Sequence, residues 1–438
     1  MTTIKSIYGR RVWDSRGNPT VEVDVTLDNG LVGRAIAPAG ASRGSREAID
    51  LRDGGVALRG KNVMQALDSV NGPIAAAMRG MEVQDQQAID NALLALDSSS
   101  FKEVLGGNAT VATSLAVLHA AAADTGKPLW RHVADLYNCT PSIPLPEIQI
   151  FGGGAHAGRR VDIQDFMIMV PGASSFDEVM EVTSEIYFAA GDILASRGKA
   201  AGVADEGGWW PMFDSNEEAL ETLVLAIEKA GEKPGDRVVI SLDIAASEFA
   251  KKGRYRLALE DREMDSSALI EMLGGWLNDY PIVSIEDPVS EDDPEGMAEF
   301  TRRFGDQVQI IGDDYLVTNA TLVEEAAAAG ACNAVLIKVN QAGTVSESID
   351  TYLAAQKAGW GAVVSARSGE SEDTSISHLA TGLGAGQLKV GSFQRSERMA
   401  KWNECLRIQE QLGAGSFVGG ASLRRTWWGK QQGSKGVW

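Results

Sequence analysis

Residues 282–287 read Ile-Val-Ser-Ile-Glu-Asp, a short apolar run that ends in two acids. Its length and its β-branched residues favour a strand that is buried on both faces of a sheet. Six further runs have the same character: Phe166–Val170, Val238–Leu242, Gln309–Ile311, Ala334–Ile337, Ala362–Val364 and Gln387–Val390. Helical patterns fill most of the gaps, which indicates a parallel sheet. So many strand–helix units favour a closed β/α barrel over an open sheet.

The chain before this region predicts a separate α+β unit, residues 1–139, with strands followed by helices. Its strand candidates are Ile4–Val12, Val21–Leu27 and Leu31–Ala37, and a hairpin turn signal, Asp28-Asn29-Gly30, joins the last two. Its helical patterns cover residues 62–80, 84–97 and 109–126. Residues 140–146 hold three prolines and predict a linker, so we expect the barrel domain to span residues 147–438.

Composition excludes several classes of protein. The net charge of −20 disfavours nucleic acid and anionic membranes as partners. The N-terminal sequence lacks the apolar segment of a signal peptide, and no run of about 18 apolar residues occurs, so we expect a cytoplasmic protein. Cys139, Cys332 and Cys405 are far apart and lack metal-binding spacing, which favours buried free thiols.

The residue that follows each predicted strand carries the chemical information. Acids follow three strands and basic residues follow the next three: Asp243, Glu286, Asp313, Lys338, Arg367 and Lys389. In a barrel these side chains gather at one rim, where active sites form. Three clustered carboxylates need a cation to stay ionised, and oxygen ligands suit Mg²⁺. A single polar residue at a strand end is also explained as a helix cap, but six in succession favour a metal site.

Lysines beside a metal suggest proton abstraction. A hydrogen next to a carboxylate is weakly acidic, because its removal adds a second negative charge, and a metal ion stabilises that charge. A lysine near cations loses its own proton more readily and can act as the base. The alternative is that Lys338 only pairs with a metal-binding carboxylate.

Long motifs make the chain resemble the enolase family from Ile4 to about Ala414. They are Asp14-Ser15-Arg16-Gly17-Asn18-Pro19-Thr20-Val21-Glu22, Asp205-Glu206-Gly207-Gly208, Ser284-Ile285-Glu286-Asp287-Pro288, Leu336-Ile337-Lys338-Val339-Asn340-Gln341 and Arg367-Ser368-Gly369-Glu370. The resemblance implies an α+β N-terminal capping domain, an enolase-type (β/α)8 barrel, two Mg²⁺ ions per active site, a small anionic substrate, and a homodimer or higher homo-oligomer.

The resemblance also implies residue roles. Lys338 takes the proton from carbon 2, and Glu206 donates a proton to the hydroxyl that leaves carbon 3. Lys389 holds the substrate carboxylate, and Arg367 with Ser368 holds the phosphate. The remaining implied residues line the pocket or bind metal: His156, Gln164, Asp165, Asp243, Glu286, Asp313 and Ser42. Ser42 lies in a glycine-rich loop, residues 38–45, that suits a mobile lid, although an ordinary surface turn has the same composition.

Departures from the family pattern cluster around the expected substrate. Ala366 stands where the family usually has histidine, and Asp165 replaces a glutamate. Arg43 replaces a threonine in the lid, which reads Ala-Gly-Ala-Ser-Arg-Gly over residues 39–44. Two further departures are Gly152-Gly153-Gly154, usually Asn-Gly-Gly, and the bulky pair Trp209 and Trp210.

The loss of one charged hydrogen bond slows a reaction by roughly 10–100-fold. An alanine in place of an imidazole and an additional guanidinium on the lid suggest a substrate that is larger or carries an extra anionic group. The sequence therefore favours a specialised paralogue, resembling carboxyphosphonoenolpyruvate synthases of phosphinate-antibiotic pathways, with Arg43 and Ala366 beside the substrate. One alternative is an ordinary enolase that interconverts 2-phosphoglycerate and phosphoenolpyruvate. A second is a non-catalytic binding protein on the same fold.

Overall fold

The first part of the chain folds as an antiparallel sheet packed against helices. The strands pair in the order β1 (Ile4–Trp13), β2 (Pro19–Leu27) and β3 (Val32–Ile36). The helices are α1 (Met64–Ser69), α2 (Ala75–Met78), α3 (Gln86–Leu96), α4 (Gly107–Asp124) and α5 (Leu129–Tyr137). This computed structural model describes residues 1–434. The last four residues of the predicted barrel domain lie outside that range.

The sequence identified most of this unit, with two differences. The helix predicted over residues 62–80 is divided by a wider turn at Val70–Ile74, because Pro73 inside it has no N–H to donate. Helix α5 was not predicted from the sequence. The long helix α4 is almost wholly buried against the sheet. A Cβ at Gly33 would lie 2.2 Å from the Ala116 carbonyl oxygen, so only glycine permits this close packing.

Sixteen strands and fifteen helices are described in all. After the first three strands come β4 (Leu145–Gly152), β5 (Asp165–Met169), β6 (Ala200–Val203), β7 (Trp209–Pro211), β8 (Val239–Asp243), β9 (Ala250–Lys251), β10 (Arg254–Leu257), β11 (Arg262–Met264), β12 (Ile282–Glu286), β13 (Gln309–Gly312), β14 (Ala334–Ile337), β15 (Gly361–Ser365) and β16 (Gly386–Gly391). The later helices are α6 (Phe176–Ser196), α7 (Asn216–Lys229), α8 (Ser266–Asp279), α9 (Pro294–Phe304), α10 (Ala320–Ala329), α11 (Val339–Ala342), α12 (Val345–Ala358), α13 (Ser375–Leu383), α14 (Ser396–Leu412) and α15 (Trp427–Ser434).

Eight strands close into the predicted barrel, in the order β4-β5-β8-β12-β13-β14-β15-β16, with β16 pairing back onto β4. The fold class expected from the sequence is thus confirmed. The expectation that all strands run parallel is wrong for β5, which is antiparallel to both β4 and β8. The chain between β4 and β5 carries only a short 3-10 turn, Gly154–Ala157, so β5 returns without a crossover helix. As a result, β5 begins at the rim where the other barrel strands end.

The first barrel strand, β4, was not recognised in the sequence. It begins at Leu145, so the last two residues of the predicted linker already belong to it, and all eight of its residues are buried. Pro146 concealed the strand, because proline is rare inside a central strand. Near the start of a strand its missing N–H costs little.

The C-terminal segment closes the opposite end of the barrel. The indole N–H of Trp427 donates to the Ile282 carbonyl at 2.7 Å, and that of Trp428 donates to the Asp236 carbonyl at 2.6 Å. These two tryptophans, which had no role in the sequence analysis, therefore seal the amino ends of β8 and β12.

Two further expectations concern thiols and membranes. Cys332 and Cys405 are buried free thiols, as predicted, whereas Cys139 is half-buried. Within residues 1–434, every helix is too short or too polar to cross a lipid bilayer.

Candidate active site

A narrow cavity opens at the rim where the parallel barrel strands end. Eleven side chains singled out in the sequence line it: Ser42, His156, Gln164, Asp165, Glu206, Asp243, Lys338, Ala366, Arg367, Ser368 and Lys389. Asp165 reaches this rim because β5 runs backwards, which places Asp165 beside Asp243 in the pairing of β5 with β8. The fold thus brings together residues that are more than 300 positions apart in the chain.

Lys389 links two of the predicted metal ligands. Its Nζ donates to Asp243 Oδ2 and to Glu286 Oε2, both at 2.8 Å, and lies 3.6 Å from Asp165 Oδ2. Burial alone would lower the pKa of Lys389, but these carboxylates outweigh burial and hold it well above its ordinary value. Burial and the neighbouring Asp243 raise the pKa of Glu286 well above its ordinary range. The site therefore concentrates negative charge that needs cations.

Lys338 lies against the third predicted ligand, Asp313, in a buried ion pair. Burial would lower the pKa of Lys338, but Asp313 raises it, while Arg367 and Lys389 act in the opposite direction. Without bound cations Asp313 is the counterion of Lys338 and favours its protonated form. That Lys338 loses its proton readily when cations are bound beside it stays a prediction. The pairing that the sequence analysis held as an alternative is present, and both roles require Lys338 and Asp313 to be neighbours.

The donor set fits a hard divalent cation. Glu286 is fully buried, and its Oε1 has no hydrogen-bond partner among residues 1–434. Gln164 donates from its Nε2 to Asp243 at 3.0 Å. The Oε1 of Gln164 also has no hydrogen-bond partner among residues 1–434. Buried oxygens left unsatisfied are costly, and an oxygen-preferring metal ion would satisfy them.

The three predicted ligands do not converge to within 4.8 Å of one another in this structure. Over the described part of the chain, two other sets do so: His156 with Asp165 and Glu206, and Asp287 with Asp313 and Asp314. Two ammonium groups contact the three predicted ligands instead: Lys389 contacts Asp243 and Glu286, and Lys338 contacts Asp313.

The second charged group in the cavity is built on a histidine. His156 Nδ1 lies 3.2 Å from Asp165 Oδ1, and its Nε2 lies 3.8 Å from Glu206 Oε1. Burial would lower the pKa of His156, but Glu206 and Asp165 outweigh it and raise that pKa to about 9. A Cβ at Gly153 would lie 2.2 Å from the Ile163 carbonyl oxygen, so the glycines before His156 let the loop fold tightly.

Arg367 connects the barrel rim to the lid. Its Nη1 and Nη2 donate to the two carboxylate oxygens of Glu47 at 2.9 and 3.1 Å. Nη2 also donates to the Ser42 carbonyl at 3.0 Å, and Nη1 donates to Asn340 Oδ1 at 3.1 Å. Burial would lower the pKa of Arg367, but Glu47 raises it. A bidentate pair of this kind fixes the guanidinium geometrically.

A buried arginine holds the backbone of the same segment. Arg398, on α14, is wholly buried and donates to the carbonyl oxygens of Arg367 and Ser368 at 2.6 and 2.5 Å. The Ser368 hydroxyl accepts hydrogen bonds from Arg16 Nη1 at 3.1 Å and from the Ala41 N–H at 2.7 Å. The N-terminal unit and the barrel therefore both position this segment.

Three residues that the sequence suggested would lie near the substrate are outside the lining of the main cavity in the structure. Arg43 is exposed and borders a neighbouring small cavity with Glu47, outside the lining of the main one. Trp209 stacks on Tyr187 with ring centroids 5.1 Å apart, and Trp210 packs over Gly158, so neither tryptophan lines the main cavity.

Sequence reasoning gave no role to three polar residues that structure the site: Glu47, Gln149 and Gln341. The amide of Gln149 donates to Asp165 and accepts the Gly208 N–H at 2.9 Å, which ties Asp165 to the loop that carries Glu206. Gln341 ends one of the quoted motifs, and Glu47 follows the lid by two residues. The position of Gln341 in the motif and the position of Glu47 near the lid were signals that the sequence offered. The sequence did not show which residues they contact.

A further buried acid, Glu147, lies below the cavity on β4. Its Oε2 accepts a hydrogen bond from the Ser241 hydroxyl at 2.9 Å, and its Oε1 has no partner within residues 1–434. Burial raises the pKa of Glu147 to about 7, although the nearby Lys389 acts in the opposite direction. Glu147 therefore binds a proton more tightly in the folded protein than in the unfolded chain.

This linkage predicts how Glu147→Gln changes the pH dependence of stability. Because the folded pKa is the higher one, Glu147 costs the wild type stability as pH rises from about 4.5 to about 7, by about 3 kcal/mol in total. Urea unfolding at pH 5 and pH 8 should show the Glu147→Gln variant gaining stability relative to wild type at pH 8. Glu103→Gln, at an exposed site, is the control. An equal difference from wild type at both pH values would contradict this prediction.

Comparison with known protein families supports the architecture. The family model described as Enolase, N-terminal domain matches residues 4–133. The model described as Enolase, C-terminal TIM barrel domain matches residues 140–427. Together the two matches cover nearly the whole chain in the order that the structure shows.

Proposed function

The chain belongs to the enolase family, and we propose that it removes the proton beside the carboxylate of a small three-carbon acid that carries phosphate or phosphonate. Membership in the family indicates an enzyme of the lyase type, and enolases are generally Mg²⁺-dependent. One observation carries the proposal: Lys338 shares a buried cavity with Arg367, Lys389 and the acid Asp243. A site that binds an acid and removes a proton from it requires this combination, and few other sites do.

The cations of the cavity bind and orient the substrate. Arg367 and the Ser368 hydroxyl hold the phosphate or phosphonate, since a guanidinium fixed by Glu47 presents N–H donors in a constant direction. Lys389 holds the carboxylate. Together they place the hydrogen of the neighbouring carbon toward Lys338. Burial of the cavity keeps water away and strengthens each of these contacts.

Asp243, Glu286 and Asp313 would hold Mg²⁺, with Ser42 of the lid available to a second ion. Bound there, Mg²⁺ supplies electrostatic stabilisation of the negative charge that develops on the substrate carboxylate. A cation held by Asp313 would replace Lys338 as the partner of that carboxylate, and the neighbouring Arg367 and Lys389 would then favour the neutral amine. The Nζ of Lys338 is the group that takes the substrate proton.

The opposite wall of the cavity serves the leaving group. Glu206 delivers a proton to the departing oxygen on the next carbon. His156 lies between Glu206 and Asp165 and holds both carboxylates in place. The substrate thus loses hydrogen to Lys338 on one side and loses oxygen with help from Glu206 on the other.

The departures around the cavity support a specialised substrate. Ala366 lines the cavity where a larger residue would narrow it, whereas the exposed Arg43 lies on the lid beside a neighbouring cavity. Space beside Ala366 and an available guanidinium on the lid suit a substrate with an additional anionic group. We therefore propose an enolpyruvate-forming reaction such as that of carboxyphosphonoenolpyruvate synthases, in phosphonate or phosphinate antibiotic biosynthesis.

Ordinary enolase activity is the second candidate, favoured by the presence of Lys338, Glu206, Lys389 and Arg367 in one cavity. The two are separated by incubating the protein with 2-phosphoglycerate and Mg²⁺ and following the enol absorbance. We expect slow turnover, with Ala366→His raising it roughly 10–100-fold by restoring a charged hydrogen bond. Fast turnover by the unaltered protein, unchanged in the variant, would contradict the specialised assignment.

The chain's assembly and location complete the proposal. We propose a homodimer or higher homo-oligomer in the cytoplasm, measured by light scattering of the full chain and by fractionation. A binding protein without catalysis is excluded if wild-type protein exchanges a substrate hydrogen with solvent.

A further inference from the structure

The single helical turn α11, which directly follows Lys338, contacts the lid on both sides. At one end, the side-chain amide of Asn340 donates to the Pro38 carbonyl at 3.4 Å. At the other, the backbone carbonyl of Gln341 accepts the N–H of Ala48 at 2.8 Å. The first residue of the lid and the chain just after the lid therefore both contact the turn that directly follows the proposed base, Lys338.

The side chain of Gln341 extends this contact into the site. It is 2% exposed. Its Nε2 donates to Asp313 Oδ1 at 2.8 Å and to Glu47 Oε1 at 3.3 Å. Its Oε1 accepts a hydrogen bond from the Thr318 hydroxyl at 2.6 Å. One amide nitrogen thus joins a carboxylate next to the lid with a carboxylate next to the base.

Each end of this connection is fixed by further contacts. Glu47 Oε1 accepts the N–H of Gly44, a lid residue, at 3.0 Å. The Thr318 oxygen accepts the backbone N–H of Lys338 at 2.9 Å, and Asp313 pairs with the Lys338 side chain. A buried and fully bonded network of this kind has a well-defined geometry, so a change at one end alters the other.

We propose that Gln341 is a positioning residue that couples closure of the lid to the orientation of Asp313 and Lys338. Gln341 does not line the cavity, so it acts through Glu47 and Asp313 and not on the substrate. In the arrangement described, Glu47 accepts one hydrogen of the amide and Asp313 accepts the other, while Glu47 also holds the lid residue Gly44. We expect movement of the lid to loosen the hold of Glu47 on the amide and so to free the donor to Asp313. The catalytic part of this inference rests on the proposed function, whereas the coupling of lid to Asp313 does not.

Gln341→Met tests the coupling, because methionine keeps the length of the side chain and removes its hydrogen bonds. Amide hydrogen exchange of residues 40–46, measured in the ligand-free protein, should become about tenfold faster. Calorimetry should show Mg²⁺ binding weakened about tenfold, because Gln341 supports the predicted ligand Asp313. Tenfold is the lower end of the usual loss of affinity when such a supporting hydrogen bond is removed. Exchange of the hydrogen at carbon 2 of 2-phosphoglycerate should slow in kcat more than it changes in KM.

Gln86→Met is the matched control, since Gln86 is also a buried amide that donates to a carboxylate, Asp90, at 3.2 Å. It should leave lid exchange and Mg²⁺ affinity at wild-type values. Gln341→Leu is a second uncharged variant that loses the donor, in case the methionine protein does not fold, and the same changes are expected.

Two results would overturn the coupling. One is wild-type lid exchange and Mg²⁺ affinity in the folded Gln341 variants, and the other is an equal effect of Gln86→Met. Failure of the proposed function is a different outcome. In that case wild-type protein promotes no hydrogen exchange of 2-phosphoglycerate, while lid exchange in the ligand-free variants still reports on Gln341.

Discussion

Replacing Lys338 by alanine should slow exchange of the substrate hydrogen with solvent by about 10²–10⁴-fold, the usual contribution of a general base. The measurement is NMR of 2-phosphoglycerate at carbon 2 in D2O with Mg²⁺. Exchange reports proton removal alone, so it does not require that the leaving-group step be fast. Binding of the substrate should change far less, because Arg367 and Lys389 remain.

Lys102→Ala is the matched control for this experiment. Lys102 is also buried and also pairs with a carboxylate, Glu347, at 2.8 Å, but it lies outside the cavity lining. It should lower the thermal midpoint without slowing hydrogen exchange. Equal exchange rates in Lys338→Ala and wild type would show that another group removes the proton.

Glu286→Gln should weaken Mg²⁺ binding by at least about 100-fold. Loss of a residue that only supports a metal ligand already lowers metal affinity about 10–100-fold, and Glu286 is itself a predicted ligand. Thermal unfolding with and without Mg²⁺ measures this directly. A ligand that binds only the folded state raises the midpoint, so wild type should gain stability from Mg²⁺ and the variant should gain almost none. Without Mg²⁺ the variant should be no less stable than wild type, because it removes a buried carboxylate from beside Asp243.

Asp90→Asn provides the comparison for Glu286→Gln. Asp90 is a fully buried acid of the N-terminal unit, where Ser114 and Ser346 donate to it. Its loss should destabilise the protein and leave the gain from Mg²⁺ intact. If Glu286→Gln kept the full gain from Mg²⁺, the ion would have to bind elsewhere.

The sequence predicted the barrel class, although it missed β4 and the reversed direction of β5, and it predicted where the site lies because parallel strands all end at one rim. Any polar residue that ends such a strand is therefore a site candidate, and Asp243, Glu286 and Lys338 lie at the rim as this rule predicts. Asp165 shows its limit. It starts a strand that runs backwards, so only the family resemblance, and not the position of strand ends, pointed to it.

Contacts across long stretches of chain could not be predicted. Glu47 meets Arg367 and Gln341 only after the N-terminal unit packs on the barrel, and no local pattern records that packing. Local context was also misleading for Trp209, which follows the motif residue Glu206. Gly207 has φ of +94°, and beyond this turn the chain leads Trp209 outward, where it stacks on Tyr187.

The pairing of Lys338 could not be predicted from the sequence. The sequence shows that acids and bases converge at the rim, but it does not show which acid contacts which base. The contact of Lys338 with Asp313 raises the pKa of Lys338 in the absence of a bound cation. The same pairing makes the location of bound cations the decisive feature of the site.

Anomalous scattering from crystals soaked in Mn²⁺, a substitute for Mg²⁺ with the same preference for oxygen, tests that location most directly. We expect a peak at roughly 2.0–2.3 Å from a carboxylate oxygen of each of Asp243, Glu286 and Asp313, with the Lys338 amine released from Asp313. A peak only at His156, Asp165 and Glu206, or only at Asp287 and Asp314, would contradict it.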